Sequence, residues 1–197
     1  MAFDINSNET FAAITKHYYP LSEECWHEFL AVSTQKEYSA NELVIEEGKT
    51  AQKAYFIIEG SMRAFYNKDG REITDWFAFE NEFISGINSY FQNTPSPHSI
   101  QSLETSLCIE IHKDMAEKLM LKYPDFLLLT NRVLEHTILK LQRRMFSLQF
   151  ASAYQRYNDL LEQSPEIGQR VALKHIASYL GITLETLSRI RNPNYRI

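Results

Sequence analysis

A chain of 197 residues is long enough for one large domain, or for two small ones that share a long element. Its 44% hydrophobic and 13% aromatic content excludes a disordered polypeptide, and no apolar run approaches the ~18 residues of a membrane span. The net charge of −5 speaks, taken alone, against nucleic acid. Met1-Ala2-Phe3-Asp4-Ile5-Asn6 has neither the basic flank nor the apolar stretch of a secretion signal, so the cytoplasm is the expected location. Two distant cysteines, Cys25 and Cys108, argue against a disulfide scaffold, a zinc site and an iron–sulfur cluster, so no metal or cofactor is expected. The charge is unevenly spread. Residues 1–150 hold 14 Lys and Arg against 21 Asp and Glu, whereas residues 151–197 hold 6 against 4. Arg170, Lys174, Arg189, Arg191 and Arg196 supply the basic end, the distribution of a basic reader joined to an acidic body.

From Asn8 to Val32 the pattern is that of short helices. Ser22 is a cap residue, followed by Glu23 and Glu24 in the first turn and by apolar Trp26, Phe29 and Leu30. From about Gln35 to Ile111 short β-type runs take over: Leu43–Ile45, Ala54–Ile58, Met62–Tyr66, Ile73–Phe77 and Leu107–Ile111. Glu47-Gly48, Glu59-Gly60 and Lys68-Asp69-Gly70 punctuate them, and Asp69-Gly70 is a strong hairpin signal. The neighbouring carboxylates Glu23-Glu24 and Glu46-Glu47 are expected in solvated turns. Short strands at this spacing predict a β-barrel, roll or sandwich.

A short helix is predicted over Asp114–Lys122, and Pro124 opens a long one reaching about Phe150. Its apolar positions step by four and three: Leu127, Asn131, Leu134, Ile138, Leu141, Met145, Leu148. Leu127, Leu134, Leu141 and Leu148 occupy d positions, and Asn131, Ile138 and Met145 occupy a positions. Leu at d, with Ile and a lone Asn at a, is the preference of a parallel two-stranded coiled coil, so these seven residues are the predicted dimer seam. The polar Gln142, Arg143 and Arg144 lie beside it. A helix packed only on its own β-domain is the alternative and would show a similar but wider stripe. A further helix follows over Ala151–Gln163, ended by Ser164-Pro165.

The segment Leu173–Ile190 carries the functional signal. Apolar Leu173, Ile176, Leu180, Ile182, Leu187 and Ile190 surround a small Ala177, a turn residue Gly181 and a capping Thr183. Those offsets fit a helix-turn-helix whose second helix starts at Leu184 and turns Glu185, Thr186, Ser188, Arg189 and Arg191 outward. A helical hairpin that reads nothing is the ordinary alternative. The segment resembles the helix-turn-helix of the Crp/Fnr (catabolite activator) family of transcription regulators. There the recognition helix typically runs Ser/Thr-Arg-Glu-Thr-hydrophobic-Gly/Ser-Arg, and here it runs Thr183-Leu184-Glu185-Thr186-Leu187-Ser188-Arg189. The resemblance covers nearly the whole chain. Ala54–Ser61 is similar to the family's tyrosine-x-isoleucine-x-x-glycine strand of the cyclic-nucleotide-binding roll, and Glu82-Phe83-Ile84-Ser85-Gly86 to the strand entering its phosphate-binding cassette.

The resemblance implies an α+β chain with three parts. These are a cyclic-nucleotide-binding-like, double-stranded, jelly-roll-like β-roll sensor over 1–122, a long dimerisation helix over 123–150 and a helix-turn-helix DNA-binding domain over 151–197. It implies a homodimer on an inverted-repeat operator in double-stranded DNA, with RNA polymerase as a candidate partner. Glu185 would accept from cytosine and Arg189 would donate to guanine, while Thr183, Lys174 and His175 would sit near phosphates. Leu184 replaces the family's Arg, removing one base-reading fork and offering contact with a thymine methyl instead. Asn192-Pro193 stops the helix and the sequence runs only to Ile197, which leaves no room for the family's full β-wing.

The predicted effector pocket comprises Ser85, Gly86, Ile87 and Asn88 with Ser96, Pro97, His98 and Ser99. The resemblance puts Gly86 where the family has its ribose-binding Glu and Ser96 where it has the phosphate-binding Arg. No Arg lies between Arg71 and Arg132. A cyclic phosphate would lack a counter-charge, so loss of cAMP binding is expected, with an unknown small molecule or no effector in its place. His98 could offer a partial charge, although a histidine in a Pro/Ser loop is ordinarily a surface residue. No Gly-x-Ser-x-Gly, HExxH, P-loop or GxGxxG motif occurs, so an enzyme is not expected. The alternative function is an effector-binding or structural dimer of the same fold that no longer binds DNA.

Overall fold

The computed structural model describes residues 7–192; the N-terminal hexapeptide, Pro193 and Arg196 lie outside them, as does the expected absence of a full wing. Two helices open the described chain, α1 (Ser7–His17) and α2 (Glu23–Val32). Ser22 caps α2 by accepting from the Cys25 amide at 3.3 Å. Eight strands follow: β1 (Ser33–Tyr38), β2 (Leu43–Ile45), β3 (Lys53–Glu59), β4 (Met62–Lys68), β5 (Arg71–Ala78), β6 (Phe83–Ser85), β7 (Ser99–Ser102) and β8 (Ser106–His112). Between β6 and β7 lies a short helix, α3 (Ile87–Gln92).

The strands form two four-stranded antiparallel sheets, ordered β1-β8-β3-β6 and β2-β7-β4-β5. All eight contribute to one buried cluster between the sheets, which includes Tyr38, Ile45, Ile57, Met62, Ala78, Ile84, Ile100 and Cys108. Alternation along β3 and β8 makes the first sheet two-sided. Tyr55 and Ile57 face the sheet–sheet interior, whereas Phe56, Ile109 and Ile111 join a second cluster with Ile14, Trp26, Phe29, Leu119 and Phe126 from the helices. Cys25 and Cys108 are buried free thiols in these two separate clusters.

The turns explain the punctuation in the sequence. Asp69 (φ 54°) and Gly70 (φ 77°) make the tight β4–β5 connection. Gly60 has a φ of +95°, and a Cβ there would fall 2.3 Å from Ser106 Oγ and 2.7 Å from Ser106 Cα, so only glycine fits where the β3–β4 turn passes the start of β8. Two strands escape the sequence reading. β1 is Ser-Thr-Gln-Lys-Glu-Tyr and β7 is Ser-Ile-Gln-Ser. Both are mostly polar, and they exist because β8 and β4 supply their backbone partners.

After α4 (Lys113–Lys122), Pro124 starts the 27-residue α5 (Pro124–Phe150). Phe126 and Leu129 bury its first turns, with Val133 packed beside them. Lys140 reaches back to Glu82 at 2.8 Å and to the Phe77 carbonyl at 2.9 Å. The C-terminal unit comprises α6 (Ala153–Gln163), α7 (Ile167–Arg170), α8 (Leu173–Tyr179) and α9 (Leu184–Ile190). Ser152 and Gln155 form a reciprocal capping box at the start of α6. Tyr157, Leu160, Ile167, Ile176, Leu187 and Ile190 form a third core, which Phe77 of β5 enters from the roll. No helix among the described residues is long and apolar enough to cross a membrane.

Candidate functional site

The helix-turn-helix has the geometry its residues require. Gly181 takes a φ of +66° at the turn, the Ile182 amide donates to the Ala177 carbonyl at 3.0 Å, and Thr183 caps α9 by accepting from the Thr186 amide at 3.2 Å. Ile176, Ala177, Leu180, Leu187 and Ile190 are all buried. The opposite side of α9 exposes Leu184, Glu185, Ser188 and Arg189, with Arg191 exposed just after it and Thr186 half-buried. Arg189 Nη2 donates to Thr186 Oγ1 at 3.4 Å. Glu185's own amide and the Thr183 hydroxyl, with Arg189 nearby, hold the Glu185 carboxyl below the usual range. The exposed face thus carries an ionised acceptor and a guanidinium donor one turn apart.

Two basic-end residues are placed otherwise than the sequence suggests. His175 is buried at 7% exposure, on the side of α8 that packs on β5, and is not on the surface beside Lys174. Burial, with Arg63 and Lys174 close by and Glu72 opposing them, pushes its pKa down to about 4, so the ring is neutral. Arg170 is not a free cation either: it pairs with Glu80 and Glu104, each at 2.6 Å. Together with Arg144 it fastens the C-terminal unit to the roll. Arg144 donates to the Tyr179 carbonyl at 2.8 Å and to the Thr74 carbonyl at 3.1 Å, and lies 3.4 Å from Asp75. Ser178 completes the junction, accepting from the Thr74 amide and donating to the Glu72 carbonyl, both at 2.9 Å. Nothing in the local sequence marks these contacts, because each joins residues at least 35 positions apart.

The predicted effector pocket is partly assembled. Ser85, Ile87 and His98 line a cavity of about 290 Å³ between the roll and α5. Gly86 and Ser96 are buried against each other: a Cβ on Gly86 would lie 3.4 Å from Ser96 Oγ and 3.3 Å from Ile45. Ser96 Oγ donates to the His98 carbonyl at 2.7 Å, and Ser99 Oγ accepts from the Glu47 amide at 3.0 Å. Asn88 and Pro97 are exposed. His98 corrects the expectation of a surface residue, since it is 5% exposed with its ring 5.4 Å from that of Tyr66. The cavity also takes in residues that the sequence reading missed, chiefly Asp75 and Trp76 on β5 and Tyr90 and Phe91 on α3. Leu134, Ile138 and Leu141 of α5 close one side. Ile138 is still 63% exposed, and the rest of the seven-residue stripe is open, with Leu127 43%, Met145 57% and Leu148 43% exposed and Asn131 exposed among them.

Comparison with known proteins agrees with this architecture. Residues 35–123 match the family described as the cyclic nucleotide-binding domain. No curated protein matches the sequence. Among solved structures, the c-di-GMP responsive global regulator CLP of Xanthomonas campestris aligns with a TM-score of 0.68 at 19% identity, over 86% of this chain and 89% of that one. CooA from Carboxydothermus hydrogenoformans aligns at 0.68 and 18% identity, over 83% and 76% of the two chains. The catabolite activator protein of Thermus thermophilus aligns at 0.57 and 16% identity, over 91% and 84%. Residues 35–123 thus resemble the cyclic nucleotide-binding domain, in a chain that has the fold of the Crp/Fnr regulators.

Proposed function

We propose that the chain is a homodimeric, sequence-reading DNA-binding regulator of the cytoplasm, with a sensor that has lost cAMP binding. The sensor spans 1–122, the dimerisation helix 123–150 and the reader 151–197. The observation that carries the reading is α9, capped by Thr183 and anchored by Leu187 and Ile190, with Leu184, Glu185, Ser188 and Arg189 exposed together on its free side. Such a face suits the major groove, where a guanidinium pairs with guanine N7 and O6 and a carboxylate accepts from the cytosine amine. Lys174 and Thr183, both exposed, suit phosphate contacts; His175, buried and neutral, contributes to the junction with the roll.

Loss of cAMP binding is supported by the cavity wall, which has Asp75 and no Lys or Arg among its lining residues. A cyclic phosphate there would exchange water for a site without a counter-charge. Selection of binding sites from random DNA should return an inverted repeat, with half-sites about 10–10.5 bp apart or a multiple of it. Arg189→Ala should cost about 1–3 kcal/mol at one base pair and relax selectivity there. A loss spread equally over all sequences would assign Arg189 to phosphate. Absence of any retained DNA would favour an effector-binding dimer that reads no sequence.

A further inference from the structure

Cavities of about 150 Å³ with apolar walls hold a single benzene ring, and small-molecule sites begin near ~300 Å³. The 290 Å³ between the roll and α5 therefore matches a molecule of about two fused or linked rings. Its wall is largely apolar and aromatic, with Trp76, Phe83, Tyr90 and Phe91 facing Leu134 and Ile138. Asp75 is the one carboxylate among the lining residues, and it lies 3.4 Å from Arg144. An anion entering this space would lose hydration and find no cation among the lining residues to replace it.

Two polar side chains on the wall have bonds left to make. His98 is 5% exposed, and neither of its ring nitrogens meets the geometry of a hydrogen bond, although the Ser85 carbonyl lies close enough to pull on the ring. The indole Nε1 of Trp76 is likewise buried and unpartnered. Buried polar atoms are nearly always satisfied, so two such groups on one cavity mark where a missing partner belongs. Burial lowers the pKa of His98 below its ordinary value, against the opposing pull of Asp75, the Ser85 carbonyl and Glu47. A neutral imidazole offers one donor and one acceptor, and the indole offers a donor. A hydroxyl or carbonyl oxygen is the matching chemistry, since no Lys or Arg among the lining residues offsets the desolvation of a carboxylate or phosphate.

We propose that the cavity binds an uncharged, mainly apolar molecule of about two-ring size, whose oxygen hydrogen-bonds to His98 and Trp76. The inference deepens the sensor half of the proposed function and does not depend on DNA reading. Calorimetry on the full chain with 2-naphthol, naphthalene, 2-naphthoate and cAMP tests it, with DNA retention assayed separately. 2-Naphthol should bind in the micromolar range, with 2-naphthoate and cAMP weaker by about tenfold or more, the scale of one charge-assisted contact. His98→Phe removes the unpaired nitrogens without emptying the core. It should keep naphthalene binding while weakening 2-naphthol by about tenfold, the scale of one hydrogen bond. Leu134→Trp, which fills the space, should abolish binding of both. The proposal is overturned if 2-naphthoate or cAMP binds as tightly as 2-naphthol. It is equally overturned if 2-naphthol binds no better than about 1 mM, where an ordered water is the partner of His98. A His98→Phe protein whose preference for 2-naphthol over naphthalene is undiminished also overturns it. Failure of these probes leaves DNA selectivity untouched, and loss of DNA binding leaves the probe titrations untouched.

Discussion

His175 and Arg63 show how one residue can serve a junction rather than a ligand. Arg63 is 1% exposed on β4; it pairs with Glu72 at 2.5 Å and donates to Gln101 at 2.7 and 3.0 Å. A guanidinium so placed is kept by its partners, and burial still lowers its pKa against the pull of Glu72. His175 packs near this pair with its pKa pushed down to about 4 from 6.5. In the unfolded chain the ring binds a proton below about pH 6.5; in the folded one it resists until about pH 4. The unfolded state therefore binds more protons across that window, and stability should fall as pH drops from about 6.5 toward 4. His175→Gln should flatten that part of the thermal-midpoint profile. A slope unchanged in the variant would assign the acid sensitivity to another group, such as Glu72 as its carboxylate is protonated at the lower end.

At the scale of elements, α5 does three jobs with three faces. Phe126, Leu129 and Val133 bind it to the helical core, Lys140 and Arg144 bind it to the roll, and Leu127, Ile138, Met145 and Leu148 remain open. A long helix left with an apolar stripe on one side is a candidate interface. We expect Leu127→Asp with Met145→Asp to give monomers by sedimentation equilibrium while circular dichroism stays unchanged. Neither residue lines the cavity, so ligand binding by the monomer remains measurable. Dimers that persist would place the seam on another face. Strand β5 is the other shared element. Asp75 and Trp76 line the cavity, while Glu72, Thr74 and Phe77 hold the C-terminal unit. Neighbouring residues of one strand thus touch both the cavity and the C-terminal unit, with a register shift at Asp75 breaking the simple alternation of the strand.

Across the whole molecule, the C-terminal unit is held to the roll by polar clamps around an apolar contact. Arg170 bridges Glu80 and Glu104, Arg144 bridges two carbonyls, and Phe77 enters the core of the C-terminal unit. Interfaces of this mixed kind between parts of one chain commonly open and close. Arg170→Ala combined with Arg144→Ala removes charge-assisted bonds worth about 1.5–3 kcal/mol each before solvent screening reduces them. The double variant should show a larger radius of gyration by X-ray scattering and faster proteolysis between α5 and α6, with the β-roll still folded. An unchanged scattering profile would mean that the apolar contact around Phe77 is enough to hold the two parts together.

The helix-turn-helix, the hairpin at Asp69-Gly70 and the glycine at position 60 were legible because each is a local demand. A positive φ, a cap or a small contact must be met by a residue type at one position, whatever the rest of the chain does. The heptad stripe on α5 was legible for the same reason, since helical periodicity is written in consecutive residues. Strands β1 and β7 were not, because their residues carry little hydrophobic pattern and their pairing is supplied by β8 and β4. The cavity was half legible. Ser85, Ile87 and His98 follow from the cassette, but Asp75 and Trp76 come from a strand read only as part of the roll, and α5 supplies the facing wall. Burial of His98 and His175 and pairing of Arg170 depend on partners many positions away in the chain, and a linear pattern assigns neither solvent exposure nor counter-charge to a side chain. Sequence by itself determined the order of parts and the exposed face of α9; packing alone decided which of the basic residues are paired and what chemistry lines the cavity.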